Sequence, residues 1–156
     1  MLTADDVIRR YALERHPEGG YFREIFRSTA RVDGARSAST AIYFLLQHGD
    51  FSAFHRVRSD ELWHHYLGDP IELHCIDGGA YRRFEIGSAQ GDREPIAVVP
   101  GGVWQAARVM KGSFGFAFSG CTVAPGFEFA DFELPPRREL LELFPAHAAI
   151  IETLTR

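Results

Sequence analysis

The segment Phe54-His55-Arg56-Val57-Arg58-Ser59-Asp60-Glu61-Leu62-Trp63-His64-His65-Tyr66-Leu67-Gly68 decides how this chain is read. Its aromatic and aliphatic content reads as strand rather than loop. Side chains on a strand point to opposite faces in turn. Glu61, Trp63 and His65 therefore share one face, and Leu62, His64 and Tyr66 share the other. If the sheet curls on itself, one of those faces lines an enclosed cavity. A cavity holding imidazoles, a carboxyl group and an indole is a place to bind or transform a small molecule.

The same strand character extends in both directions. Runs over residues 21–26, 40–46, 51–57, 61–67, 71–76, 81–86, 96–99, 103–109, 114–118 and 122–129 are rich in β-branched and aromatic residues. Turn formers separate them: Gly49-Asp50, Gly68-Asp69-Pro70, Asp77-Gly78-Gly79, Pro100-Gly101-Gly102, Lys111-Gly112 and Ser119-Gly120. Short strands at near-regular spacing imply an all-β sandwich or barrel. Asp77-Gly78 signals a tight hairpin. The two ends differ from this body. Thr3 can cap a short helix with Asp5 and Asp6 in its first turn, and His16-Pro17-Glu18-Gly19-Gly20 stops it. Residues 137–144 and 145–154 read as helices that pack Leu140, Leu141, Leu143, Phe144, Ile150 and Ile151 onto the β-body. With no linker, repeat or low-complexity segment, residues 1–156 read as one domain.

Composition narrows the function classes. The formal charge of −4 argues against a general nucleic-acid binder, which usually carries a basic stripe. No apolar run is long enough to span a bilayer, and the first ten residues lack signal-peptide order, so a cytoplasmic location is expected. Cys75 and Cys121 stand far apart and outside any C-x-x-C pattern, and read as buried reduced thiols. Thirteen Phe suit a cavity lined by rings.

Five segments in one order carry a resemblance. They are H-P-E-G-G-Y-F-R-E (residues 16–24), T-A-I-Y-F-L-L (40–46), the segment from Phe54 to Pro70, V-P-G-G-V-W-Q-A (99–106) and G-C-T-V-A-P-G-F-E-F-A-D-F-E-L (120–134). Over residues 2 to 150 the chain resembles the fifth cupin domain family. The resemblance implies a double-stranded β-helix, the cupin jelly roll, with a cavity open at one end and short helices at both termini. It also implies a homodimer and a likeness in shape to sugar-nucleotide epimerases.

Metal-binding cupins hold iron, manganese or nickel with three imidazoles and a carboxylate. Here the resemblance places His55 and Glu61 at two of those positions. Val57 and Gln105 stand where further imidazoles would be. A metal-free pocket is therefore expected, with a divalent ion on His55, Glu61 and His64 as the alternative. His64 or His65 faces the cavity; a β-bulge after Asp60-Glu61 would bring His64 in beside Glu61.

By analogy with the epimerases, His55 is the candidate base, Glu61 or Asp60 its orienting partner, and Tyr43, Tyr66 or Tyr21 the acid. Glu18, Tyr21, Arg23, Trp63, His64, Trp104 and Gln105 are candidate ligand-binding residues; Arg56 and Arg58 are further anchors for an anionic group. The expected function is metal-independent epimerisation or isomerisation of a sugar, nucleotide-sugar or similar carbonyl compound. A metal-dependent cupin oxygenase or isomerase and a non-catalytic binding module are the alternatives.

Overall fold

Two facing antiparallel sheets account for most of the chain, as the strand pattern predicts. The computed structural model describes all 156 residues. Helix α1 (Ala4–Tyr11) opens the chain, capped reciprocally by Thr3 and Asp6. It ends earlier than the sequence suggests. Ala12 turns left-handed at φ 49° and the chain runs into a two-residue strand, β1 (Glu14–Arg15).

The remaining strands are β2 (Tyr21–Arg27), β3 (Arg31–Val32), β4 (Arg36–Ser37), β5 (Thr40–Gln47), β6 (Phe51–His55), β7 (Asp60–Gly68), β8 (Ile71–Asp77), β9 (Ala80–Ile86), β10 (Ile96–Val99), β11 (Trp104–Val109) and β12 (Phe116–Ala124). One sheet has the order β1-β2-β5-β12-β7-β10 and the other β6-β11-β8-β9, while β3 and β4 form a small hairpin. This is the jelly roll that the resemblance implies. The β8–β9 hairpin turns on Gly78 and Gly79, both with positive φ, as a two-residue primed turn requires.

Two expectations fail locally. Ser119-Gly120 is not a turn; it lies in the middle of β12, paired to β5 and β7 on its two sides. Glycine is needed there because the ring of Tyr66 lies over it where a Cβ would project. The β3–β4 hairpin also escapes the pattern, being only two residues long on each side.

Alternation then sorts side chains into three cores. Phe44, Leu46, Trp63, Ile71, Leu73 and Ala107 fill the space between the sheets with eight other buried residues. Phe54, Ile76, Trp104 and Ala106 face outward from the smaller sheet and are covered by α2 (Arg137–Leu143) and α3 (Ala148–Thr153) through Leu140 and Ile151. Leu45, Phe116 and Phe118 face outward from the larger sheet, beneath Val7 of α1 and Leu13. With the flanks closed in this way, a polar pocket lies at the end of the roll near β2, β6 and β7. Both cysteines are buried and unbridged.

Candidate functional site

A β-bulge sets the position of the central imidazole. Gln105 of β11 pairs with His55, but Ala107 pairs with Ser52, so β6 carries one extra residue at Ala53-Phe54. Ser52 and His55, three apart in sequence, consequently face the same interior. The Nδ1 of His55 lies 2.8 Å from the Ala53 carbonyl oxygen, closing the bulge. A carbonyl only accepts, so this bond assigns the ring proton to Nδ1 and leaves the Nε2 lone pair without a partner. His55 is 2% exposed and lines the pocket. Burial depresses its pKa; the nearby Glu61 pulls it back up only in part. The ring is held neutral.

Glu61 enters from β7, opposite Val123, and Trp63 two residues on faces the same way. A relay fixes this carboxyl group. The Trp63 indole donates to Gln105 Oε1 at 2.9 Å, and the Gln105 amide donates to Glu61 Oε1 at 2.8 Å. Indole nitrogen is a donor only, which dictates the orientation of the Gln105 amide. Burial raises the Glu61 pKa to about 7; the nearby His55 lowers it only in part, and the carboxyl of Glu18 adds to the rise.

Glu18 comes from the turn before β2. Its backbone is pinned by Ala53 N–H and by the Arg156 guanidinium, both donating to its carbonyl, at 2.8 and 2.6 Å. Gly19 makes the turn possible at φ +110°, with the Phe51 carbonyl where a side chain would begin. The Glu18 carboxyl sits 3.2 Å from His55 Nδ1 and 3.8 Å from His16 Nδ1. Burial raises its pKa to about 8, offset in part by the otherwise unpartnered Ser52 hydroxyl and by Arg156. His16 accepts a hydrogen bond from the Glu18 amide at 3.1 Å, and burial drives its pKa down to about 3.

Aromatic residues complete the wall. Phe22 lies on β2, and Phe127, Phe129 and Phe132 come from the segment after β12. That segment is tied down by paired backbone bonds between Arg56 and Glu133 and by the Arg36–Asp131 and Arg27–Glu128 ion pairs. Between the walls lie about 550 Å³ including the mouth, of which about 40 Å³ is open to the centre of a water molecule. The smaller figure governs what fits inside. It holds about three waters, at ~10–15 Å³ for each.

The structure brings His55, Glu61, Trp63, Gln105 and Glu18 together. Asp60, Arg56 and Arg58 lie outside the pocket, and six other candidates do not reach it either. Tyr21 and Tyr43 pack with the core beneath α1, and Arg23 lies over the Tyr43 ring at 5.9 Å. Tyr66 is 52% exposed and packs against Tyr43 and Phe118 on that outer face. His64 bonds Thr122 Oγ1 at 3.0 Å on the same side. Trp104 lies under the C-terminal helices with the Arg56 guanidinium 4.3 Å from its ring. The reason is parity. The register shift in β7 falls after His65, at Tyr66, and not after Glu61, so His64 stays on the face opposite Glu61. His65 is the inward member of the pair, but its Nε2 bonds the Asp69 carbonyl. His16, Glu24, Cys121 and the three late phenylalanines also line the pocket. Sequence reasoning did not name them, although the dense F-E-F-A-D-F run (residues 127–132) was a visible signal.

The residues present do not fit the metal of other cupins. Val57 supplies no ligand, His64 faces away, and the Gln105 amide presents its N–H to Glu61 while its oxygen is occupied by the indole. No three His, Cys, Asp or Glu side chains are grouped as a metal ion requires.

Comparisons with known proteins agree with this architecture. A hypothetical protein from Leishmania major is 37% identical, with 99% of each chain covered and a TM-score of 0.92. A protein from Shewanella oneidensis is 35% identical over 100% of this chain and 99% of its own, with a TM-score of 0.93. Oxalate decarboxylase from Bacillus subtilis is 15% identical with a TM-score of 0.59, covering 90% of this chain and 36% of the enzyme, and shares the fold alone. No curated protein matches the sequence significantly. The model of the cupin superfamily family DUF985 matches residues 5–135, and with the jelly roll and its buried pocket in view, the chain belongs to that family.

Proposed function

We propose that the pocket binds a compact small molecule and moves a proton on it through His55. One observation carries this reading: a neutral, buried imidazole has Nδ1 anchored to a carbonyl and Nε2 unpartnered, beside two carboxyl groups whose pKa values burial raises to about 8 and about 7. A neutral imidazole is a competent base, and a carboxylic acid with a pKa near 7 is a competent acid at neutral pH. For a carbonyl substrate, His55 Nε2 takes the proton from the carbon next to the carbonyl while Glu61 gives its proton to the carbonyl oxygen. The enediol or enol so formed is reprotonated at carbon by the imidazolium, and its hydroxyl proton returns to Glu61. Glu61 fills the role first assigned to Tyr43 or Tyr66, which lie outside the cavity.

The room available favours a substrate of a few heavy atoms over a nucleotide-sugar. The homodimer implied by the family resemblance remains part of the proposal, and sedimentation equilibrium at twice the monomer mass supports it. Catalysis is tested by incubating a panel of small aldehydes, ketones and keto acids with the protein in deuterated water and following carbon-bound deuterium by NMR. Exchange that falls by two to four orders of magnitude in His55→Gln, with the fold retained, supports the mechanism. Binding without exchange marks a non-catalytic module instead.

A further inference from the structure

We infer that the molecule this pocket takes carries a small ammonium group, held between phenylalanine rings and the Glu18 and Glu61 carboxyl groups. The inference rests on the reading of the cavity as a small-molecule site and narrows its ligand class. Of the fifteen residues that line the pocket, none is Lys or Arg. The charged types among them are Glu18, Glu24 and Glu61, and both histidines are held neutral. Glu24 is already paired with Arg27 at 2.8 Å, and Arg156 spends its charge on Asp50 at 2.8 Å. Neither Glu18 nor Glu61 forms an ion pair with Lys or Arg; Arg156 bonds Glu18 only at its backbone carbonyl, and its charge offsets the burial of that carboxyl only in part.

Their polar atoms are also incompletely bonded. Glu61 is 7% exposed and uses Oε1 for Gln105, while Oε2 has no hydrogen-bond donor. His55 Nε2 is equally free. Around them stand Phe22, Trp63, Phe127, Phe129 and Phe132. Ring faces attract cations and repel anions, and the attraction grows where water is excluded. A phosphate or carboxylate ligand would meet carboxyl groups and ring faces with no counter-charge. Combined with proton transfer at His55, the substrate class becomes an amino-substituted carbonyl compound, whose ammonium group makes the neighbouring C–H more acidic.

Three molecules of one shape test this by calorimetry at pH 8: choline, neutral 3,3-dimethylbutanol and anionic 3,3-dimethylbutyrate. Choline should bind at least tenfold more tightly than the alcohol, and the alcohol more tightly than the acid. Glu61→Gln, which can still accept from Gln105, should lower choline affinity about tenfold and leave the alcohol unchanged. Glu18→Gln gives the same split if Glu61→Gln fails to fold. Choline binding no better than either analogue, or no binding by any of the three, overturns the inference. His55-dependent deuterium exchange into an uncharged carbonyl compound, with no preference for choline, would leave the proposed chemistry standing and remove only the ammonium assignment.

Discussion

Replacing Glu18 with Gln should flatten the alkaline side of the stability–pH curve. Burial raises the Glu18 pKa from 4.5 to about 8. A raised carboxyl pKa means the native state keeps a proton that the unfolded chain has released. Stability then falls as pH rises from the unfolded value to the folded one, and levels off above it. The histidines have the opposite sign. His16, His55, His64 and His74 are depressed by burial, so their contribution rises with pH and is complete near the unfolded value of 6.5. Below pH 6.5 the two sets oppose each other; above it the carboxyl groups act, joined towards pH 8.5 by the buried thiols of Cys75 and Cys121, whose raised pKa values have the same sign. Each unmatched proton is worth about 1.4 kcal/mol per pH unit. From pH 6.5 to about 8, Glu18 should therefore remove about 2 kcal/mol of stability. Glu61, raised only to about 7, should remove less than about 1 kcal/mol. Urea unfolding at constant ionic strength, at half-unit steps from pH 6 to 8.5, measures the slope. Glu18→Gln, which does not titrate, should already exceed the parent at pH 6.5, and its advantage should grow by about 2 kcal/mol between pH 6.5 and pH 8.5. A parent curve that is flat or rising over this range, or a decline that persists unchanged in Glu18→Gln, refutes the burial argument.

Other perturbations probe how the site is held. Gln105→Leu breaks the relay at its centre and strands the Trp63 indole and the Glu61 carboxyl, at about 1–3 kcal/mol for each group left without its partner. Chemical denaturation should show that loss, together with a shift in tryptophan emission; an unchanged midpoint would mean water replaces the amide. Gly19→Ala forces a side chain into the left-handed region and against the Phe51 carbonyl, so it should cost about 1–3 kcal/mol from backbone strain alone. Because the same turn carries Glu18, choline binding should weaken beyond what the stability loss explains, and retention of full affinity in the folded variant would contradict the placement of Glu18.

Much of this fold was legible because strand patterning is a local signal. Ile71 to Cys75 alternates cleanly, and two glycines at Gly78-Gly79 favour a tight primed turn between β8 and β9. Gly120 shows where locality ends. The same residue type that breaks a strand elsewhere is required inside β12 because a side chain from β7 needs its space. Nothing within five residues of Gly120 encodes Tyr66.

The site obeys the same distinction at higher stakes, because parity converts a one-residue error into the opposite face. The family resemblance places His55, Glu61 and Gln105 together, and the structure brings them together from three separate strands. His64 could not be placed, since its face depends on whether the bulge in β7 precedes or follows it. That choice rests on pairing with Ser119 and Phe118 of β12. The tyrosines were assigned inward by chemical suitability, yet Tyr43 must share a face with its cross-strand partners Arg23 and Gly120, and Tyr66 packs on that same face. A carboxyl group therefore takes the acid's place by topology: Glu61 is the proton-bearing side chain on the inward parity of β7, and its pKa is supplied by the burial that the same parity imposes.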